Sequence, residues 1–127
     1  MKITIETLPI EQMRWHGLGD YYETIGDTTR IYVAETGNEL YNRFIAIHEL
    51  IENTLLMAHG IPVRKIDTYC DKIFAEGESP DSESPDSPIH KEHIFSDACE
   101  TLVAIESRVD LEHYDEACNE LLQNKKI

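Results

Sequence analysis

One stretch constrains this chain more than any other, the run between Asn38 and Gly60. Asn38 can cap the free amides of a helix that begins at Glu39. Gly60 supplies the left-handed residue on which such a helix ends, and Pro62 prevents its resumption, so the helix runs from 39 to about 59. Leu40, Phe44, Ile47, Ile51, Leu55 and Ala58 recur along it with a 3.6-residue period, and this apolar stripe is expected to pack on a sheet. Inside the run the chain reads Phe44-Ile45-Ala46-Ile47-His48-Glu49-Leu50-Ile51-Glu52. Residues four apart stack on one helix face, so His48 and Glu52 present an imidazole and a carboxylate side by side at the border of the stripe. That is a metal-ligand spacing. Glu49 lies about 100° further round, beside the pair without being one of it.

The flanking segments read as supports. Ile3, Ile5 and Leu8 alternate through Lys2–Leu8, a strand with one buried face, ended by Pro9. Met13 and Trp15 call for burial while Gly17 and Gly19 break any regular element, which predicts a loop. Residues 21–25 and 30–34 are strand-like runs joined by the turn-forming Gly26-Asp27-Thr28-Thr29. A second helix is expected from Pro62 to about Glu76, with Ile66, Tyr69, Cys70, Ile73 and Phe74 as its apolar members. Residues 77–88 carry Ser-Pro-Asp-Ser twice and cannot bury a core, so they are expected to be a mobile loop. A third helix runs from near Ile89 to about Ser107, its stripe Ile94, Ala98, Leu102 and Ile105 expected inside, with His90, His93 and Asp97 as a polar edge. Asp110 caps a last helix from Leu111 to about Gln123, which adds Leu111, Tyr114, Cys118, Leu121 and Leu122 to the core. The expected fold is α+β: one domain over 1–127, a three-stranded antiparallel sheet followed by three to four helices.

Charge narrows the function. With 25 acidic against 11 basic residues and a net charge of −14, the chain lacks the clustered cations that displace counterions from duplex nucleic acid or an anionic membrane. A basic protein partner is the complementary choice. No apolar run has the length of a membrane span, and Glu6 comes too early for a signal peptide, so a cytoplasmic location is expected. Cys70, Cys99 and Cys118 lack the spacing of a thiolate knuckle and read as small apolar side chains.

The sequence His48-Glu49-x-x-Glu52 differs by one residue from the His-Glu-x-x-His pattern, in which two ligands hold zinc and the intervening Glu is a general base. Taken singly, His48 reads as a histidine at the core edge, and Glu49 with Glu52 as a solvated helix face. The second histidine edge favours a metal site built from two helices. His48, Glu52 and His93 are its ligands, holding one divalent ion, zinc first and iron or manganese as alternatives, with Glu49 taking a proton from water in an open position. His90 sits in the fraying first turn and is the lesser choice; Asp97 is either a further ligand or a carboxylate that orients an imidazole. Trp15, Tyr21 and Tyr22 read as core or rim, not as a platform for substrate.

Residues 46–52, Gly60-Ile61, the Pro/Asp-rich loop leading into His90-Lys91-Glu92-His93-Ile94-Phe95, and the early Gly19-Asp20 together resemble a family of small phage and prophage proteins of unassigned activity. The resemblance covers most of the chain and implies a minimal zincin-like metal site in a protein made inside a host cell. Glu52 stands where the second zincin histidine would be, and there is no third-ligand motif of the Met-turn kind. Two other functions compete with a metal-dependent hydrolase. One is a non-enzymatic acidic phage accessory protein that binds a basic partner. The other is a carboxylate-only magnesium site, Glu49-x-x-Glu52 with Glu112-x-x-Asp115, resembling the helical nucleotide pyrophosphatases; the N-terminal strands count against it.

Overall fold

A computed structural model of the protein describes residues 1–124. It is α+β. Strands β1 (Lys2–Leu8), β2 (Gly19–Tyr21) and β3 (Thr28–Ala34) precede helices α1 (Glu39–Ala58), α2 (Val63–Ala75), α3 (His90–Glu106) and α4 (Leu111–Asn124). The sheet order is β1-β3-β2. β2 runs antiparallel to β3, but β1 pairs with β3 in parallel, Ile5 opposite Ile31, so the sheet is mixed and not antiparallel as expected. Side-chain alternation fixes which residues share a face and is silent on strand direction. Direction is set by the crossing between β1 and β2, two short 3-10 turns at Ile10–Gln12 and Arg14–His16.

Local chemistry explains the element ends. Ile25 and Thr28 exchange backbone hydrogen bonds of 3.0 and 3.1 Å. Gly26 between them sits at φ +63°, which a two-residue hairpin turn requires of its first residue. The Asn38 side chain accepts from the amides of Leu40 and Tyr41 at 3.0 and 3.1 Å, and α1 starts one residue later. At its other end Gly60 takes φ +66°. There the Ile61 amide reaches Leu56 O at 2.9 Å and the Gly60 amide reaches Met57 O at 3.2 Å, a Schellman closure. Asp110 caps α4 by accepting from the His113 amide at 3.2 Å.

Helix α1 packs against both the sheet and α3. Burial from two directions changes which of its residues lie inside. Phe44 is fully buried as expected, but Leu40 and Ala58 are exposed and Ile47, Ile51 and Leu55 only partly covered, whereas His48, Glu49 and Glu52 are buried. Phe44 and Leu56 join Ile31, Val33, Ile45, Ile89 and Tyr114 in the main core, each large side chain contributing about 1.5–3 kcal/mol. Two other expected faces are corrected. Ile3 and Ile5 of the edge strand β1 are exposed, and the α3 stripe of Ile94, Ala98, Leu102 and Ile105 points outward while Glu92, Ser96 and Ala104 are buried. Of the cysteines only Cys70 is fully buried.

Candidate metal centre

Placing polar groups inside this fold begins with the segment before β2. Trp15 and His16 both take φ +52°, a left-handed backbone that costs about 1–3 kcal/mol per residue outside glycine. Arg14 secures it. Its guanidinium binds Asp20 through two contacts of 2.7 and 2.9 Å, reaches Tyr21 O at 3.1 Å and Asp67 at 3.3 Å, and stacks over Tyr22 at 3.9 Å. The Trp15 indole donates to Asp71 at 2.9 Å. The clamp fixes Gly19, Asp20 and Tyr21 against α1.

Both ends of β2 then meet the His-Glu-x-x-Glu turn. A Cβ on Gly19 would lie 2.4 Å from Glu49 Oε1, so only glycine lets the carboxyl group sit against this strand. The Tyr21 hydroxyl donates to Glu52 Oε1 at 2.8 Å. Across the helix interface, α3 contributes His93, Asp97 and Glu100. His48 Nε2 lies 3.1 Å from Glu52 Oε2 and 3.2 Å from His93 Nδ1, and His93 Nδ1 lies 2.9 Å from the same Glu52 oxygen. Three donor atoms from two helices therefore converge. Outside them, Asp97 Oδ1 and Glu100 Oε1 stand 3.1 and 2.9 Å from His48 Nδ1, and Asp97 Oδ2 is 3.3 Å from His93 Nε2. The two contacts to His48 Nδ1 have the distance of a hydrogen bond but not its direction, which leaves this buried nitrogen without a hydrogen-bond partner among the described residues. Glu100 is itself held by the Tyr114 hydroxyl at 2.7 Å.

The electrostatics follow from burial opposed by neighbours. Burial disfavours an imidazolium at His48, but Asp97, Glu100 and Glu52 outweigh it and lift the pKa to about 12. At His93 burial is likewise overcome, by Asp97 and Glu52, and the pKa rises to about 9. Burial would raise Glu52, yet His48, His93 and Tyr21 pull it down to about 2. Asp97, despite partial burial, is held below the ordinary carboxylate range by His48 and His93. Glu49 goes the other way. Its burial, then repulsion from Glu52, push its carboxyl well above that range, with only partial relief from His48.

All these groups line one cavity of about 690 Å³, which Arg14, Trp15 and residues 79–83 also line. His48, Glu52 and His93 form one group able to hold a metal ion; His48, Asp97 and Glu100 form a second, and Glu83, His93 and Asp97 a third. The structure thus brings together His48, Glu52, His93 and Asp97 and sets Glu49 beside them. It does not bring His90, whose buried Nδ1 lacks a hydrogen-bond partner among the described residues and which lines a separate shallow groove with Lys91, Ile94, Phe95 and Ala98. Three members were missed from sequence. Glu100 follows His93 and Asp97 at helical spacing and was legible; Tyr21, which the sequence assigned to core or rim, and Glu83 reach the site through long-range packing that no spacing encodes. Glu112 is exposed, and it does not line the cavity with Asp115.

The fold and site define an α+β protein with a buried histidine–carboxylate centre between two helices. No protein-family model, curated protein or solved structure matches the chain.

Proposed function

We propose that this protein binds one divalent metal ion through His48 Nε2, Glu52 Oε2 and His93 Nδ1, and that the centre serves hydrolysis. The convergence of those three atoms at 2.9–3.2 Å carries the reading. Tetrahedral bonds of about 2.1 Å hold their donors about 3.4 Å apart, so the side chains need to spread by only a few tenths of an ångström. Two imidazoles and one carboxylate with a position left open is a donor set of catalytic zinc sites, and iron(II) accepts the same set, which ranks zinc first and iron next. Asp97 and Glu100 then place negative charge 3.1 and 2.9 Å from the second nitrogen of His48 without a directed hydrogen bond to it, and Tyr21 holds the free oxygen of Glu52. A bound ion supplies Lewis acidity and a lowered water pKa. Glu49, in the same cavity, is the chain's proton acceptor, and Gly19 gives it room. The resemblance to phage proteins suggests a host cytoplasm as the setting.

Metal analysis of purified protein tests the centre. One ion per chain is expected, with binding lost in His48→Ala and severely weakened in His93→Ala; full occupancy in both variants would refute the ligand set. Screening peptide, amide and phosphoester substrates with wild type and Glu49→Gln tests the chemistry, the variant losing at least about 100-fold while keeping its metal. The net charge of −14 favours a second reading, an accessory protein that binds a basic partner and uses the ion structurally. Stoichiometric metal without turnover on any substrate class would select it.

A further inference from the structure

Helix α3 is inside out. Glu92, His93, Asp97 and Glu100 face inward, while Ile94, Phe95, Leu102 and Ile105 are 46, 55, 65 and 54% exposed and Ala98 between them is exposed as well. A contiguous apolar stripe of this kind marks a contact surface. We propose that it is the interface of a homodimer in which α3 packs antiparallel on α3 of a second copy.

The two halves of the helix are complementary to each other. The N-terminal half bears the shallow groove lined by His90, Lys91, Ile94, Phe95 and Ala98. The C-terminal half carries the protruding Leu102 and Ile105, followed by Glu106. A two-fold axis near Ala98 and Cys99 sets Leu102 and Ile105 of each copy into the groove of the other and brings Lys91 toward Glu106 of the second copy. Such an arrangement is isologous and closes on itself. Parallel packing would instead lay groove on groove, Lys91 on Lys91 and Glu106 on Glu106. The small Ala98 at the axis allows close approach, and the pairing extends over roughly 22 Å at 1.5 Å per residue. The metal centre lies on the opposite face of α3, so association leaves the cavity open.

Sedimentation of the full chain across the micromolar range tests this. Wild type is expected to be a dimer at tens of micromolar, and Leu102→Glu to weaken association by at least about 100-fold, since it puts a charge into an apolar contact. Circular dichroism should be unchanged because the side chain already faces outward. Lys91→Glu and Glu106→Lys should each weaken the dimer about fivefold, the scale of an exposed ion pair, and the double variant should restore it. A monomeric wild type would overturn the proposal and leave the stripe to a different partner. A dimer indifferent to Leu102→Glu, or a charge swap without rescue, would overturn the antiparallel α3 contact.

Discussion

Metal binding at this centre should release protons in a number that the structure sets. As the cluster stands, protons occupy the donor nitrogens: at pH 7.5 both His48, with its pKa near 12, and His93, with its pKa near 9, are imidazolium ions. An ion can bind only a bare lone pair, so each must lose one proton. Glu49 adds a third, because burial and Glu52 keep its carboxyl neutral and a divalent charge beside it favours the ionised form. Expected release is therefore about three protons in wild type and about two in Glu49→Gln. The two imidazoles alone make Kd fall about 100-fold per pH unit up to pH 9, whereas histidines with the ordinary pKa of about 6.5 would give almost no dependence there. Isothermal titration of zinc at pH 7.5, in two buffers of different ionisation enthalpy, counts the protons directly. A wild-type count below one would show that these nitrogens are not the ligands. Equal counts in wild type and Glu49→Gln would remove Glu49 from the ion's neighbourhood.

Gly19→Ala should destabilise the fold by about 1–3 kcal/mol in chemical denaturation, the range for an overpacked contact, because its Cβ meets Glu49 Oε1 at 2.4 Å; unchanged stability would mean that Glu49 moves freely. Stability of the metal-free protein should be greatest between about pH 4.5 and 6.5. The raised His48 and His93 contribute fully below their unfolded pKa and lose that contribution as pH climbs through about 9 at His93, while Glu52 contributes above 4.5 and loses it as pH falls toward about 2. Raised Glu49 lowers stability as pH rises above 4.5 and so moves the optimum toward the acidic end of that window, and melting temperatures that climb from pH 6.5 to 9 would contradict the assignment. Limited proteolysis should cut within residues 77–88 with the fragments remaining associated. Deleting residues 79–83 should change loop-closure entropy by only roughly 0.5 kcal/mol, and a large drop in melting temperature would show that this cavity wall is packed structure.

Much of the architecture was legible because it is written in local chemistry. Asn38 and Gly60 bracket α1 to within a residue, and Asp110 marks the start of α4, because an N-cap side chain acts on amides only two or three residues away. The orientation of α3 was not legible in this way. Its periodicity separates an apolar stripe from a polar edge, and the ordinary preference for burying the apolar one pointed the wrong way. Which edge faces inward depends on what α1 presents, and α1 presents His48 and Glu52. The same two histidine edges that suggested a metal site therefore also contained the information that α3 must turn its carboxylates inward. Strand direction and the reach of Tyr21 to Glu52 belong to sheet assembly and left no trace in spacing.

That inversion is also an energetic argument for function. Turning α3 to bury Ile94, Leu102 and Ile105 would stabilise the monomer by about 1.5–3 kcal/mol per side chain, whereas the observed orientation buries Glu92 and partly covers His93, Asp97 and Glu100, which costs desolvation energy before pairing. Burial alone therefore does not account for this arrangement. Two contributions can offset it, an ion in the inner cluster and a second copy on the outer stripe. An ion at 100 times its Kd adds about 2.7 kcal/mol. The two are separable in one thermal series, since stabilisation by the ion disappears with chelator at any protein concentration, while stabilisation by association grows with protein concentration whether or not chelator is present. Opposite faces of one helix thus carry the two effects, and Leu102→Glu should remove the concentration dependence while leaving the chelator response intact.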